Sequence, residues 1–156
     1  MVYSIYTDGA CSKNPGPGGY AFIILANDKE HLRLSGSSKY TTNNQMELLA
    51  IVRAMKHLSS MENNSKENSC VIYSDSAYCL NPLIQGWVNN WARNNWKTNK
   101  GEDVKNKELW QMLLQILSSI HMDVRFVKVK GHSGNKYNEL VDKAAKNAIK
   151  RCVEAV

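Results

Sequence analysis

The 156-residue sequence lacks the features that mark membrane, exported or zinc-binding proteins. No apolar run approaches the ~20 residues of a transmembrane helix, and the N-terminus enters a strand pattern without the regions of a signal peptide. The four cysteines, Cys11, Cys70, Cys79 and Cys152, show no Cys-x-x-Cys or other zinc spacing. Repeats and linker-like segments are also lacking. We therefore expect one reduced, cytoplasmic domain spanning residues 1–156, with no membrane partner.

Basic residues outnumber acidic ones, mainly in the second half of the chain. The sequence carries 20 Lys and Arg against 14 Asp and Glu, a formal net charge of +6. Residues 1–69 are nearly neutral, with seven basic and six acidic side chains, whereas residues 121–156 carry eight against four. Residues 85–110 carry five against three, interleaved with tryptophans. This distribution indicates a polyanionic partner.

Hydrophobic periodicity predicts ten elements in the order β-β-β-α-β-α-α-α-β-α. Three strand patterns joined by short turns open the chain and suggest an antiparallel meander, and helices separate the later strands. The order predicts an α/β fold, a mixed sheet with helices on its faces. Thr42 and Gln45 match a capping box at the start of the first helix, and Pro82 limits the second helix to about two turns.

Four carboxylates occupy positions that suit a shared site. Asp8 and Asp75 each follow a strand pattern, Glu47 falls in the first turn of a helix, and Asp142 lies on the last helix. Simpler explanations exist: Asp8 could start a hairpin turn, Asp75 could cap a helix, and Glu47 could respond to the helix dipole. Together the four form an oxygen-ligand set of the kind that Mg²⁺ prefers. Such a cluster repels itself unless cations neutralise it.

Trp87 and Trp91 lie one helical turn apart in a segment of polar and basic residues. A pair buried against the core is one explanation of this spacing. An aromatic face open to a nucleic-acid backbone is the other. The sequence leaves both open.

With these residues in place, the sequence resembles ribonuclease HI, the type 1 ribonuclease H family. The matching motifs follow one another through nearly the whole chain: Tyr-Thr-Asp-Gly at 6–9, Asn-Pro-Gly-Pro-Gly-Gly at 14–19, Thr-Thr-Asn-Asn-Gln-Met-Glu-Leu at 41–48, Ser-Asp-Ser at 74–76, Trp-Lys-Thr at 96–98 and Val-Lys-Gly-His at 129–132. The resemblance implies a five-stranded mixed sheet, three antiparallel strands followed by parallel ones, with helices on both faces. It implies hydrolysis of the RNA strand of RNA–DNA hybrids by two-metal-ion catalysis, leaving 5′-phosphate and 3′-hydroxyl ends. Two Mg²⁺ ions per site are expected, with Mn²⁺ able to substitute.

The resemblance also assigns catalytic roles. Asp8, Glu47, Asp75 and Asp142 resemble the metal-binding catalytic carboxylates of the family. His132 resembles a mobile histidine that assists proton transfer or product release, although an exposed loop histidine is the simpler interpretation.

Substrate contacts follow from the same resemblance. Asn14, Asn43 and Asn44 resemble residues that contact the RNA minor groove, and an amide both donates and accepts, as a 2′-hydroxyl does. Thr42 and Asn106 resemble part of a pocket that grips a phosphate of the DNA strand.

The basic segment and the last helix complete the expected site. Trp87, Trp91, Arg93 and Lys97 resemble a DNA-binding surface, whose phosphate contacts position the substrate without reading sequence. Glu139 resembles an accessory acidic residue, or is a solvated helix charge.

The chain departs from the family pattern at Ala77 and Ala92, where the resemblance is a weaker guide to the hybrid contacts, and at Pro82, which shortens the helix. The acidic set is untouched. We expect a monomer without the N-terminal hybrid-binding domain of many eukaryotic relatives. Two alternatives remain: a ribonuclease H domain acting within a reverse transcriptase, and a non-catalytic hybrid-binding module. The second alternative should have lost at least one of the four carboxylates.

Overall fold

One mixed sheet runs through the centre of the protein, whose computed structural model describes residues 1–130 and 135–154. The strands are β1 (Val2–Cys11), β2 (Gly16–Ala26), β3 (Lys29–Thr41), β4 (Ser69–Ser74) and β5 (Asp123–Lys128). The helices are α1 (Asn43–Ser59), α2 (Ala77–Ile84), α3 (Trp87–Arg93), α4 (Lys107–Ser118) and α5 (Lys136–Glu154). Their order along the chain is the predicted one. Within the described ranges, no helix is both long and apolar enough to span a membrane.

The sheet has the strand order β3-β2-β1-β4-β5. Strands β1, β2 and β3 pair antiparallel, whereas β4 runs parallel to both β1 and β5. This arrangement confirms the expected five-stranded mixed sheet. Parallel pairing of β1 with β4 ends at Tyr6 and Tyr73, so the chain beyond these two residues emerges from the same edge of the sheet.

Helices cover both faces of the sheet, because alternate residues of a strand point to opposite sides. On β2, Phe22 and Ile24 join the larger core, to which α1 contributes Leu48 and α4 contributes Trp110. The neighbouring Ile23 and its alternate residues face α5 on the other side. Burying a large apolar side chain stabilises the fold by about 1.5–3 kcal/mol, so these layers fix the helices firmly against the sheet.

Two local expectations were wrong. Asp8 does not end its strand: β1 continues to Cys11 because the glycine-rich start of β2 still pairs with it, and Asp8 itself lies opposite Ala21. Glu47 is the fifth residue of α1 and not part of its first turn, because the helix begins at Asn43. In both cases the residue lies deeper in its element than the sequence pattern suggested.

The start of α1 follows the predicted cap in one direction. The hydroxyl oxygen of Thr42 accepts the backbone N–H of Gln45 at 3.2 Å, as an N-cap does. The Gln45 side chain does not return to the cap, because its Oε1 accepts the hydroxyl of Thr41 at 2.8 Å and its Nε2 donates to the Oδ1 of Asn106 at 3.2 Å. Helix α2 is eight residues long with Pro82 inside it, which confirms its predicted length.

Candidate active site

Two strand glycines let helices approach the sheet closely enough to form a site. A Cβ on Gly9 would collide with the backbone of Glu47, and a Cβ on Gly19 would collide with the carbonyl of Ala145. No other residue fits at either position without a shift of the backbone. Helices α1 and α5 therefore bring Glu47 and Asp142 up to the sheet from its two faces.

Three carboxylates converge at the edge of the sheet where β1 and β4 stop pairing. Asp8, Glu47 and Asp75 each offer one oxygen, and these oxygens all lie within 4.8 Å of one another. Asp8 and Glu47 are buried, and Asp75 is half-buried. Asp75 is not the cap of α2, because Ser76 holds that position and its hydroxyl accepts the backbone N–H of Cys79. Neither the turn nor the capping explanation accounts for these residues.

One carboxylate oxygen of the cluster has no partner. The Oε1 of Glu47 accepts the backbone N–H of Gly9 at 2.9 Å. Its Oε2 is buried, and among the described residues it is the single buried side-chain nitrogen or oxygen without a hydrogen bond. A buried unpaired acceptor is costly, and here it lies among other carboxylate oxygens. This donor set fits a hard divalent cation.

Burial and mutual repulsion raise the pKa values of the two buried carboxyls. The pKa of Asp8 rises from 3.8 to about 6, mainly through burial. The next largest effect is that of the Glu47 side chain, which lowers the pKa, followed by Asp75 and Asp142, which raise it, and by the Gly9 N–H, which lowers it. Burial, followed by Asp8, holds the pKa of Glu47 well above its ordinary value. Close carboxylates resist joint ionisation without a counterion. The cluster therefore has the electrostatics of a cation-binding site.

Asp142 lies close enough to Asp8 to raise the pKa of its carboxyl, and it stands outside the three residues whose oxygens lie within 4.8 Å of one another. The Oδ2 of Asp142 also forms an ion pair with the Nζ of Lys146, one helical turn away, at 3.0 Å. Glu139 is exposed in the first turn of α5 and lines the same surface groove as Asp142. His132 lies outside the described residues.

The structure places two of the three asparagines in contact. The Oδ1 of Asn14, in the loop between β1 and β2, accepts the backbone N–H of Asn43 at 3.0 Å. Asn14, Asn43 and Asn44 are all exposed. The loop after Asp8 and the start of α1 thus form one amide-rich surface.

Thr42 and Asn106 are joined through a residue between them. Gln45 donates its backbone N–H to Thr42 and its side-chain amide to Asn106, each at 3.2 Å. Sequence reasoning considered Gln45 only as a capping residue and missed Tyr78, whose hydroxyl accepts from Asn106 at 2.9 Å. These contacts link residues 61 and 28 positions apart, so no local pattern could have revealed them.

The two tryptophans of the basic segment differ in how far their rings are exposed. Trp87 is 45% exposed, whereas Trp91 packs against the core with its ring edge-on to Trp110, centroids 5.6 Å apart. Lys97 is ion-paired with Asp103, both side chains being largely exposed. The exposed aromatic face therefore consists of Trp87.

Arg93 lies at the end of α3 and is exposed. Its guanidinium donates to the Oδ1 of Asn90 at 2.6 Å. This contact holds the Arg93 guanidinium at the surface and leaves its charge in place, because the Asn90 amide is neutral.

The three carboxylates at the point where β1 and β4 stop pairing define a candidate site for a divalent cation on a five-stranded mixed sheet. The RNase H family profile matches residues 2–150. The chain is 51% identical to the ribonuclease H of Acetivibrio thermocellus over 149 residues, 95% of each chain. It is 46% identical to the ribonuclease H of Syntrophomonas wolfei over 146 residues, 94% of each chain. The chain belongs to the RNase H family.

Solved structures agree with this assignment. LC9-RNase H1, a type 1 RNase H with the type 2 active-site motif, superimposes with a TM-score of 0.77 at 26% identity, over 96% of this chain and 72% of that one. LC11-RNase H1, solved in complex with an RNA/DNA hybrid, has the same fold, with a TM-score of 0.74 at 22% identity over 97% of this chain and 99% of that one. The predicted family and the predicted enzymatic class are confirmed.

Proposed function

We propose that the protein is an endoribonuclease that hydrolyses the RNA strand of RNA–DNA hybrids and leaves 5′-phosphate and 3′-hydroxyl ends. The observation that carries the proposal is the cluster of Asp8, Glu47 and Asp75 with the buried, unpartnered Oε2 of Glu47. Membership of the RNase H family supports the reaction, and the hybrid bound to LC11-RNase H1 supports the substrate. We take residues 1–156 as one catalytic domain that acts as a cytoplasmic monomer.

Four carboxylates would hold two Mg²⁺ ions, with Mn²⁺ as a substitute: Asp8, Glu47 and Asp75 directly at the cluster, and Asp142 from α5. Bound divalent ions of this kind activate a water and stabilise the leaving oxygen of a phosphodiester. The protein's part is to keep the ligands in place. Gly9 does so by donating its N–H to both Asp8 and Glu47.

We assign His132 the role that the resemblance to the family implies, which is to carry a proton during the reaction. Histidine as a residue type takes up and releases a proton near neutral pH, which suits a group that assists proton transfer to the leaving oxygen or helps the product depart. Glu139, exposed on the first turn of α5, would act as an accessory acidic residue.

Two surfaces would grip the two strands of the hybrid. The exposed amides of Asn14, Asn43 and Asn44 would contact RNA 2′-hydroxyls. Thr42 and Asn106 would bind a DNA-strand phosphate. The hybrid alone offers both partners, since duplex DNA has no 2′-hydroxyls and duplex RNA has no deoxy strand.

The third group of contacts lies on and beside α3. Trp87, Trp91 and Arg93 would support the DNA strand, with Trp87 presenting the exposed ring and Trp91 holding the helix against the core. Lys97 would contribute charge only as far as Asp103 leaves it free.

A panel of four substrates of one sequence tests the proposal: an RNA–DNA hybrid, duplex RNA, duplex DNA and single-stranded RNA, each with Mg²⁺ or EDTA. We expect cleavage of the hybrid's RNA strand alone, only with Mg²⁺, and products whose 5′ ends carry a phosphate that phosphatase removes. Binding of the hybrid without cleavage would instead indicate a non-catalytic module. Equal cleavage of duplex RNA would refute the proposed two-strand recognition.

A further inference from the structure

A chain of side-chain hydrogen bonds connects the starts of α1, α2 and α4. The hydroxyl of Thr41 donates to the Oε1 of Gln45 at 2.8 Å, and the Nε2 of Gln45 donates to the Oδ1 of Asn106 at 3.2 Å. The Nδ2 of Asn106 then donates to the Oη of Tyr78 at 2.9 Å. Each link pairs a donor with an acceptor, so the orientations of the Gln45 and Asn106 amides depend on each other and on the hydroxyl of Tyr78.

Tyr78 uses the full hydrogen-bonding capacity of its hydroxyl. The oxygen accepts from Asn106 and, at 3.4 Å, from the indole N–H of Trp110. Its proton goes to the carbonyl oxygen of Lys105 at 3.3 Å. A hydroxyl offers one donor and two acceptor positions, so with its proton on the Lys105 carbonyl the Tyr78 oxygen can only accept, and it faces the NH₂ group of Asn106.

Asn106 does not perform the usual role of an asparagine at its position. It is the N-cap residue of α4, with φ 59° and ψ 34°, yet its side chain makes no capping hydrogen bond to the helix. An N-cap asparagine ordinarily accepts a backbone N–H of the first turn. Here the oxygen faces Gln45 and one N–H faces Tyr78. The second N–H of the amide remains available for a ligand that accepts hydrogen bonds.

We propose that Tyr78 and Gln45 are positioning residues for the DNA strand, holding the Asn106 amide so that its remaining N–H points to a backbone phosphate. This inference rests on the proposed function, in which Asn106 contacts that phosphate. Thr42 is oriented by the same network: its oxygen accepts the Gln45 N–H, so its hydroxyl proton is free to donate outward. A phosphate accepts hydrogen bonds and donates none, so both groups must present donors.

The variant that tests the proposal is Tyr78→Phe, which removes one oxygen and keeps the ring against Trp110. Its hybrid KM should rise about threefold to tenfold, the effect of one lost hydrogen bond, while kcat stays within twofold. A general packing defect would not raise KM while leaving kcat nearly unchanged. Tyr3→Phe is the matched control. The buried hydroxyl of Tyr3 also accepts a hydrogen bond from a side-chain amide, that of Asn63 at 2.8 Å, in a different part of the fold. The KM of this control should stay at the wild-type value.

A double-mutant cycle with Asn106→Ala then decides whether Tyr78 acts through Asn106. Asn106→Ala alone should raise KM at least as much as Tyr78→Phe, and adding Tyr78→Phe to it should change KM by less than twofold. Additive effects of the two substitutions would overturn the inference, as would a wild-type KM for Tyr78→Phe.

The position of the contact gives a second measurement. A single uncharged methylphosphonate, moved along the DNA strand, should weaken wild-type binding at one phosphate and have little effect there on Tyr78→Phe or Asn106→Ala. If Asn106→Ala binds every substrate as the wild type does, the inference fails together with the assignment of Asn106. Cleavage of the hybrid by the wild type would remain unaffected by that result, so the two failures are distinguishable.

Discussion

Asp8 and Glu47 accept hydrogen bonds from one and the same backbone N–H, that of Gly9, at 2.9 Å each. This shared donor holds two buried carboxyls so close together that both are not readily ionised without a cation. The close packing of Gly9 against α1 makes the arrangement possible. The energetic cost of this geometry leads directly to the first prediction.

Asp8→Asn should stabilise the metal-free protein at neutral pH. Because the pKa of Asp8 is raised from 3.8 to about 6, folding favours its protonated form. That stabilisation is complete below about pH 4 and is lost as the pH rises through about 6. At pH 7.5 in EDTA the asparagine variant should be more stable by about 2–3 kcal/mol, measured by thermal unfolding.

The same melts between pH 4 and pH 8 provide the control for this prediction. The advantage of Asp8→Asn should shrink toward zero at the acid end, where the wild-type carboxyl is protonated. Parallel pH profiles for the two proteins would show that the Asp8 carboxyl carries no such strain.

Trp87 and Trp91 should respond differently to substitution. Trp91→Ala removes a ring that packs on Trp110 and the core. It should lower the free energy of unfolding by nearly 3 kcal/mol, roughly the smallest loss expected for a buried tryptophan. Trp87→Ala should leave the melting temperature nearly unchanged and weaken hybrid binding by about 1 kcal/mol or more, the scale of aromatic stacking on a base. Thermal melts and hybrid titrations of both variants test this, and the opposite pairing of effects would contradict it.

The architecture was accessible from the sequence because its signals are local. Strand alternation, the Thr42 cap and the two-turn limit on α2 all depend on neighbours within a few residues. The extension of β1 beyond Asp8 was missed because it depends on the pairing of Gly18 with Cys11, and glycine carries little strand propensity of its own.

Long-range contacts set the limit for the candidate site. The sequence could not show which of Trp87 and Trp91 is exposed, because Trp110 on another helix covers the ring of Trp91. Nor could it find the roles of Gln45 and Tyr78, which arise where three helix starts meet. The resemblance named Asn106 but did not indicate what orients it.

His132→Ala should be impaired and still active. A histidine that assists proton transfer accelerates a reaction by about 10²–10⁴-fold, and the carboxylates retain their ligand positions without it. Single-turnover cleavage of a hybrid measures the loss. A loss as complete as that of a carboxylate variant would make His132 indispensable and would contradict the assisting role.

Substrates with a single ribonucleotide in duplex DNA should be cut poorly. The exposed amides of Asn14, Asn43 and Asn44 extend over two joined segments, so we expect them to contact several successive 2′-hydroxyls. Cleavage should be efficient within a run of several ribonucleotides, each of which offers a 2′-hydroxyl to the amides. Efficient incision beside the lone ribonucleotide would argue against this mode of recognition.

The most direct test of the central claim, that the carboxylate cluster is the catalytic metal centre, is single-turnover hybrid cleavage by Asp75→Asn over a range of Mg²⁺ concentrations. The asparagine keeps the shape of the side chain but is a weaker metal ligand, so a barrier raised by about 4 kcal/mol should slow cleavage roughly a thousandfold. Asp123→Asn is the matched control, because Asp123 is exposed and pairs with Ser69 at the opposite end of β4; its rate should equal that of the wild type. Near-normal cleavage by Asp75→Asn, with the protein folded, would contradict the account.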